Sequence, residues 1–460
     1  MLFNVIIGGL LLSDAIVKLQ ETPIRKLFFA YLIPSVLGML LMSINIVLDG
    51  IFVSHGVGPH GLAGVNVAFP AFSIFFSISL WIGIGGATLY SIALGQKELQ
   101  KARIVFSHAF ALAISIIGLL LFASLWQIEK LAWFFGANEV ILPYVVDYLS
   151  ILLMFGIVYV LENILSLFVR NDGNPNLATG AIVITSLFNI FFNYLFILQF
   201  GWGVKGAAYA TILSTFLGFL ILLSHFFRKG SHLKLVPFNF SHSIGKDIFT
   251  IGFPSFVSEI SLAIIMIGYN ITFMKVLGEI GVAAYAIVNY IHFFILLLFI
   301  GIGIALQPIA SFHYGAGLTE RLQKSLRFAL QTALLMGLLA LSVGWFFADL
   351  LVSLFSVPTE ELYSHTIHGI SLFFLGYIFL GYNLIYAYFY QSTGKIRLSI
   401  LITLSRGLVL VLLFLWLLPY FFGLNGIWLA FPIAEAITAS IIFLLRLFNG
   451  SKEINKSSTS

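Results

Sequence analysis

Asp49 stands in a run of oily residues. Residues 43 to 52 read SINIVLDGIF, and its carboxyl is the one ionisable group there, four residues after the amide of Asn45. A carboxylate in such surroundings does one of two things. It exchanges a bound proton or cation, balanced between desolvation and a nearby positive charge, or it caps a neighbouring helix end or loop. Asn189 and Asn193, in FNIFFNY, are spaced i, i+4 and share a helical face. Their amides offer oxygen without charge to a cation, or hold buried helices together. Glu162, in LENILSL, lies two turns before Arg170. It is either the ion-pair partner of that arginine or a further exchanging carboxylate. Glu259 shares a face with Ser255 and Asn270, because eleven residues at 100° each return to nearly the same direction. Glu435, in AFPIAEAI, and Arg406 either pair internally or line a cavity, and Gln307-Pro308 predicts a passive bend.

The elements that carry these groups follow from composition. Of 460 residues, 60% are hydrophobic and only 9% charged, more apolar surface than a soluble core requires. Apolar runs of more than 20 residues recur from end to end, the pattern of a polytopic membrane protein. Without period-two alternation these are helices and not barrel strands, since lipid leaves every backbone polar group to be satisfied within its own segment. Twelve spans are expected: 27–53, 62–94, 104–127, 140–169, 177–199, 204–227, 247–274, 282–314, 325–347, 361–391, 397–420 and 425–447. On this reading Asp49 is roughly 6 Å from the end of its helix. An ionised Asp near the middle of a lone span costs roughly 3 kcal/mol, so the side chain should face protein or a wet cavity.

All but four of the 23 Lys and Arg residues fall on alternate connecting segments and tails. The exceptions are Lys130, Lys205 and Lys275 on the other side and Arg406 within the eleventh span. Basic loops stay inside, so both termini are expected in the cytoplasm of a multi-pass plasma-membrane protein, and the net charge of +5 reports topology. No nucleic-acid partner is expected. Cysteine is absent, which removes disulfides and thiol chemistry. The apolar start MLFNVIIGGLLL lacks the flanks of a cleaved signal peptide.

The chain repeats itself. At an offset of 220 residues Pro34-Ser35 matches Pro254-Ser255, Gly58 matches Gly278, Gly61 matches Gly281, Gly83 matches Gly303, Gly95 matches Gly315 and Gly206 matches Gly426. After a one-residue slip Gly173 matches Gly394, and Glu162 matches Asn383. An even number of helices per copy predicts an all-α fold of two six-helix bundles related by a pseudo-two-fold axis along the membrane normal, with a cavity between them. The expected division is a cytoplasmic extension 1–26, a first lobe 27–227, a polar linker 228–246, a second lobe 247–447 and a cytoplasmic tail 448–460.

IPSVLGMLLMSINIVLDGIFVSHGVGPHGLAGVNVAFP, FVRNDGNPNLA, GFPSFVSE, IGIALQPIASFHYGAG and GLNGIWLAFPIAE, in this order over residues 33 to 435, resemble the multidrug and toxic compound extrusion (MATE) family in its bacterial DinF/MepA-type branch. The resemblance implies efflux of small organic cations, driven by inward H⁺ or Na⁺. It also implies an ion site from Asp49, Asn189 and the sixth-helix Thr211, with Asn193 standing where a second carboxylate is common. That departure puts sodium coordination by the usual set in doubt. Apart from a possible Na⁺ at Asp49, no metal, cofactor or catalytic residue is expected, and a monomer is expected. The rival readings are a flippase for lipid-linked saccharides, which needs several cations for pyrophosphate, and an intramembrane enzyme, for which no H-E-x-x-H, G-x-S-x-G or ATP-binding motif occurs.

Overall fold

The computed structural model describes residues 15–237, 239–355 and 359–457, with side chains over residues 16–447 of these. The MLFNVIIGGLLL run lies outside them. Among the described residues there is no strand. The spans are α1 (Ile24–Gly56), α2 (Pro59–Gly95), α3 (Leu99–Trp126), α4 (Leu142–Asn171), α5 (Pro175–Gln199) and α6 (Gly203–Phe227). Then come α7 and α8, which together form His242–Gly315 and part at Gly278, followed by α9 (Thr319–Phe346), α10 (Glu360–Ser392), α11 (Ile396–Phe422) and α12 (Leu424–Leu447). The 74-residue helix is two spans because Gly278 takes φ 66, ψ −150, which breaks the helical course. Among the described residues the eleven apolar helices therefore make twelve crossings. The final helix continues to Ser457, into the stretch expected to be a tail.

Backbone geometry shows the repeat directly. Gly58 has φ 89 where its counterpart Gly278 has φ 66, and Gly173 has φ 80 where Gly394 has φ 71. The turn after α2 is closed by the Glu98 amide on the Ala93 carbonyl at 2.9 Å, and the turn after α8 by the Leu318 amide on the His313 carbonyl at 2.9 Å. In the second copy the left-handed residue of that turn is Gly317, φ 68; in the first it is Lys97, φ 63. A side chain is carried there in a conformation costing about 1 kcal/mol or more.

Two compact units emerge among the described residues. One runs up to Phe256 and takes in Ile304–Ser325; the other comprises Val257–Gly303 and the chain from Leu326 onward. The division differs from the lobes drawn on the sequence in that the start of α7 and the end of α8 pack with the first unit. Small residues make this possible. A Cβ on Gly85 would strike the Ile248 carbonyl, one on Gly252 the Trp81 carbonyl, one on Gly95 the Phe312 carbonyl and one on Gly315 the Ile92 carbonyl. Where lipid is as apolar as leucine, such close backbone approach is a main source of helix association.

The linker is strapped down within the first unit. Ser107 Oγ accepts from the Val236 amide at 2.9 Å, His108 Nε2 from the Ser241 amide at 2.9 Å, and Arg103 Nε donates to the His232 carbonyl at 3.2 Å. Asp172, just past α4, is the anchor. It accepts from Tyr90 Oη, Ser231 Oγ, the His232 and Leu233 amides and His225 Nε2, between 2.8 and 3.3 Å. Burial opposes its charge, but hydrogen bonds and charge from His225 and His232 outweigh that and hold its carboxyl at about 2. The short helix Ala15–Glu21 is bound to the same unit: Arg321 Nη2 donates to the Leu19 and Thr22 carbonyls at 3.1 and 2.6 Å, and Lys18 Nζ to the Gly173 carbonyl at 3.2 Å.

Candidate ion-exchange site

Asp49 lies seven residues before the end of α1, about 10 Å along the axis and deeper than the sequence-based boundary suggested. Its Oδ1 accepts from Asn193 Nδ2 at 2.6 Å, and the same amide donates to Asn189 Oδ1 at 3.0 Å. Both asparagines are buried. They share one face of α5, in the turns just before the helix widens into the π-helical Tyr194–Gln199. Such widening is frequent at functional positions.

Thr211 on α6 is held by its own helix, Oγ1 donating to the Ala207 carbonyl at 3.1 Å. It reaches the carboxylate's surroundings through Tyr148 of α4, whose hydroxyl sits beside Thr211 and within electrostatic range of Asp49. Sequence reasoning missed Tyr148, since a tyrosine among 18 gives no local signal. Tyr148 also packs, with Phe52 and Val57, against an apolar cluster of Val53, Ile197 and Ala207. The polar group thus has an apolar wall.

Two buried amide oxygens, of Asn45 on α1 and Asn193 on α5, accept no hydrogen bond. An unpaired polar atom in a buried setting is costly unless something completes it. One carboxylate with neutral amide and hydroxyl oxygens around it suits a single positive charge, a proton or a monovalent ion. Asn193 supplies a donor to Asp49 where a carboxylate would repel it. Among the described residues no group of three His, Cys, Asp or Glu side chains gathers for a metal ion.

Glu162 departs from its ion-pair reading. It is 7% exposed, yet no salt bridge joins it to Arg170, nor has it a hydrogen-bond partner among the described residues. Eight residues turn a helix through 800°, leaving the two side chains about 80° apart and 12 Å separated along the axis. Gln307, beside Pro308, sits in a buried polar network. Gln307 exchanges hydrogen bonds with Asn171 at 2.9 and 3.2 Å and donates to Thr88 Oγ1 at 3.1 Å, while the Pro308 carbonyl accepts from Ser91 at 3.1 Å. This buried polar knot joins α2, α4 and α8 within the first unit.

In the second unit Arg406 forks onto Glu435, Nε and Nη2 reaching Oε1 at 3.0 and 2.8 Å. Asn383 Nδ2 adds bonds to Glu435 Oε2 at 2.6 Å and to its carbonyl at 2.8 Å. Glu435 is wholly buried; the guanidinium balances its charge and the amide donates to a further carboxylate oxygen. Glu259 and Asn270 are half-buried on α7, with no hydrogen bond among the described residues; Tyr388 lies within electrostatic reach of both Glu259 and Arg406. Much of the aromatic wealth is core. Tyr269 stacks on Tyr285 at 4.6 Å, Phe273 packs on Trp428 at 4.5 Å and Phe373 stacks on Phe431 at 4.4 Å.

Twelve helical crossings in a repeated unit, with isolated carboxylates held inside the bundles, define a polytopic membrane protein of transporter type. The MatE family profile matches the chain twice, over residues 34–195 and 254–417, and the chain belongs to that family. The multidrug export protein MepA of Staphylococcus saprophyticus is 23% identical over 439 residues, spanning 93% of this chain and 95% of its own length. Among solved structures, a MATE protein in its bent conformation superposes with a TM-score of 0.89 at 25% identity, covering 97% of this chain and 100% of that one. The outward-facing conformation of a multidrug resistance MATE family transporter of the MOP superfamily gives 0.88 at 25% identity, over 96% and 99%. The paired family match coincides with the 220-residue repeat.

Proposed function

We propose that the chain is a secondary efflux antiporter that exports cationic amphiphiles in exchange for inward H⁺ or Na⁺. It would reside in the plasma membrane with both termini cytoplasmic. The observation that carries this reading is Asp49, held by Asn193 beside amide oxygens that lack donors. A carboxylate so placed binds one positive charge from one side and releases it to the other as its surroundings open and close. One charge crossing the membrane yields about 2.3 kcal/mol per 100 mV, to which the ion gradient adds. The names of the relatives, multidrug export protein and multidrug resistance transporter, support the substrate class.

The flippase reading is weaker. Pyrophosphate needs uncompensated cations, and Arg406 is neutralised by Glu435.

The test is dye efflux from proteoliposomes of the full chain under an imposed pH gradient and, separately, a sodium gradient. Efflux is expected under at least one gradient, and Asp49→Asn is expected to abolish it while the protein remains folded in the membrane. Undiminished gradient-driven efflux by that variant would refute the role of Asp49.

A further inference from the structure

Arg170 is a buried cation without a counterion. It lies one residue before the end of α4 and is 3% exposed, yet it makes no ion pair or hydrogen bond among the described residues, and its Nε is enclosed with no acceptor. A guanidinium does not shed its proton, and a buried charge needs a partner. The carboxylates nearest in sequence are placed elsewhere. Glu162 is two turns away on the same helix, and Asp172 directs its oxygens at Tyr90, Ser231, His225 and the linker amides.

Three enclosed hydroxyls continue from the guanidinium. Tyr31 of α1 lies within electrostatic range of Arg170, and Ser35 follows one turn later on the same face. Helices α1 and α5 run side by side in a constant register, for a Cβ on Gly38 would meet Ile182 just as Asp49 meets Asn193, each pair 144 residues apart. The same step sets Ser35 opposite Thr179. The hydroxyl oxygens of Tyr31, Ser35 and Thr179 are buried, and none has a hydrogen-bond partner. Elsewhere in this unit buried helical hydroxyls donate to the carbonyl one turn back, as Thr215 does to Thr211 and Ser325 to Arg321. Neighbouring donors on three helices thus lack an acceptor. The start of α5 at Pro175, one turn before Thr179, adds the positive end of its dipole.

The other repeat keeps the frame and drops the charge. The turn after α4 is closed by the Asp172 amide on the Phe168 carbonyl at 2.8 Å, and the turn after α10 by the Thr393 amide on the Phe389 carbonyl at 3.1 Å. That match pairs Arg170 with Gln391, and the match of Pro34 with Pro254 pairs Tyr31 with Ile251. We propose that Arg170, Tyr31, Ser35 and Thr179 form a binding site for one chloride-sized monovalent anion where α1, α4 and α5 meet. One guanidinium balances one negative charge, so a divalent oxyanion would bring an excess into a buried setting. Tyr31 and Ser35 are wholly buried, which keeps the ligand small. A single enclosed cation is likewise no seat for a lipid pyrophosphate.

Binding of radioactive chloride to the purified full-length protein in lipid nanodiscs, at constant ionic strength with gluconate as the balancing anion, tests this. A single saturable chloride per chain is expected, displaced by bromide and not by sulfate. Arg170→Gln, which copies the other repeat, is expected to abolish binding. Tyr31→Phe and Thr179→Val each remove a hydroxyl with little change of shape and are expected to weaken binding about tenfold. Chloride is also expected to raise the thermal midpoint over gluconate in the unsubstituted protein and not in Arg170→Gln. The proposal is overturned by a lack of saturable binding, by binding that Arg170→Gln leaves unaltered, or by sulfate displacing chloride as well as bromide does. Should Arg170→Gln fail to fold, unaltered binding in both Tyr31→Phe and Thr179→Val overturns it alone. No readout here involves transport, so the anion site stands or falls apart from the antiport reading.

Discussion

Glu435 and Asp49 are both carboxylates within helical spans, and their partners give them opposite tasks. Glu435 carries a forked guanidinium and an amide, a closed arrangement with no charge left over. Breaking a buried pair by removing one partner strands the other, at about 3–5 kcal/mol. Arg406→Met is therefore expected to lower the thermal midpoint sharply, and Arg406→Met combined with Glu435→Gln to recover most of the loss. Fluorescence-detected unfolding in detergent reads both. Equal midpoints for the single and double variants would mean the pair is not what holds this junction. Asp49 has only a neutral amide, so Asp49→Asn is expected to leave the midpoint nearly unchanged and to remove transport alone.

At the scale of elements, the strap formed by the linker depends on Asp172. With its carboxyl held at about 2 against an ordinary value near 3.9, the native state binds fewer protons than the unfolded chain across that interval. The resulting stabilisation, roughly 2 kcal/mol, is fully present above about pH 4 and is lost as pH falls through 2. Asp172→Asn is expected to abolish this acid-side dependence and to speed proteolytic cleavage within residues 228–241 several-fold at neutral pH. An unchanged cleavage rate would show that Ser107, His108 and Arg103 suffice to hold the strap.

Across the whole molecule, the asymmetric distribution of Lys and Arg sets the expected orientation. The chain has no cysteine, so single reporters are unambiguous. Lys275→Cys, at an exposed position near the end of the first helix of the second copy, is expected to react with a membrane-impermeant maleimide in intact cells. Lys229→Cys, exposed on the linker, is expected to react only after permeabilisation. The reverse pattern would invert the topology.

Twelve spans, the 220-residue repeat and the candidacy of Asp49 were legible because hydropathy and glycine placement are local, additive properties of a chain in lipid. Gly278 even marked where one continuous helix becomes two. Asn189 and Asn193 were legible as a pair because spacing alone fixes a shared face. Partnership between helices is another matter, for it depends on how each helix is rotated about its axis, and no local pattern encodes that. Hence Glu162 was left open between a pair with Arg170 and an exchanging role, and tertiary packing turns it toward Thr185 and Gly218. Gln307 was noted only for the bend at Pro308, and packing seats it on Asn171 and Thr88. Asp172 passed as one letter of a loop motif until the fold brought Tyr90, His225 and the linker amides onto it.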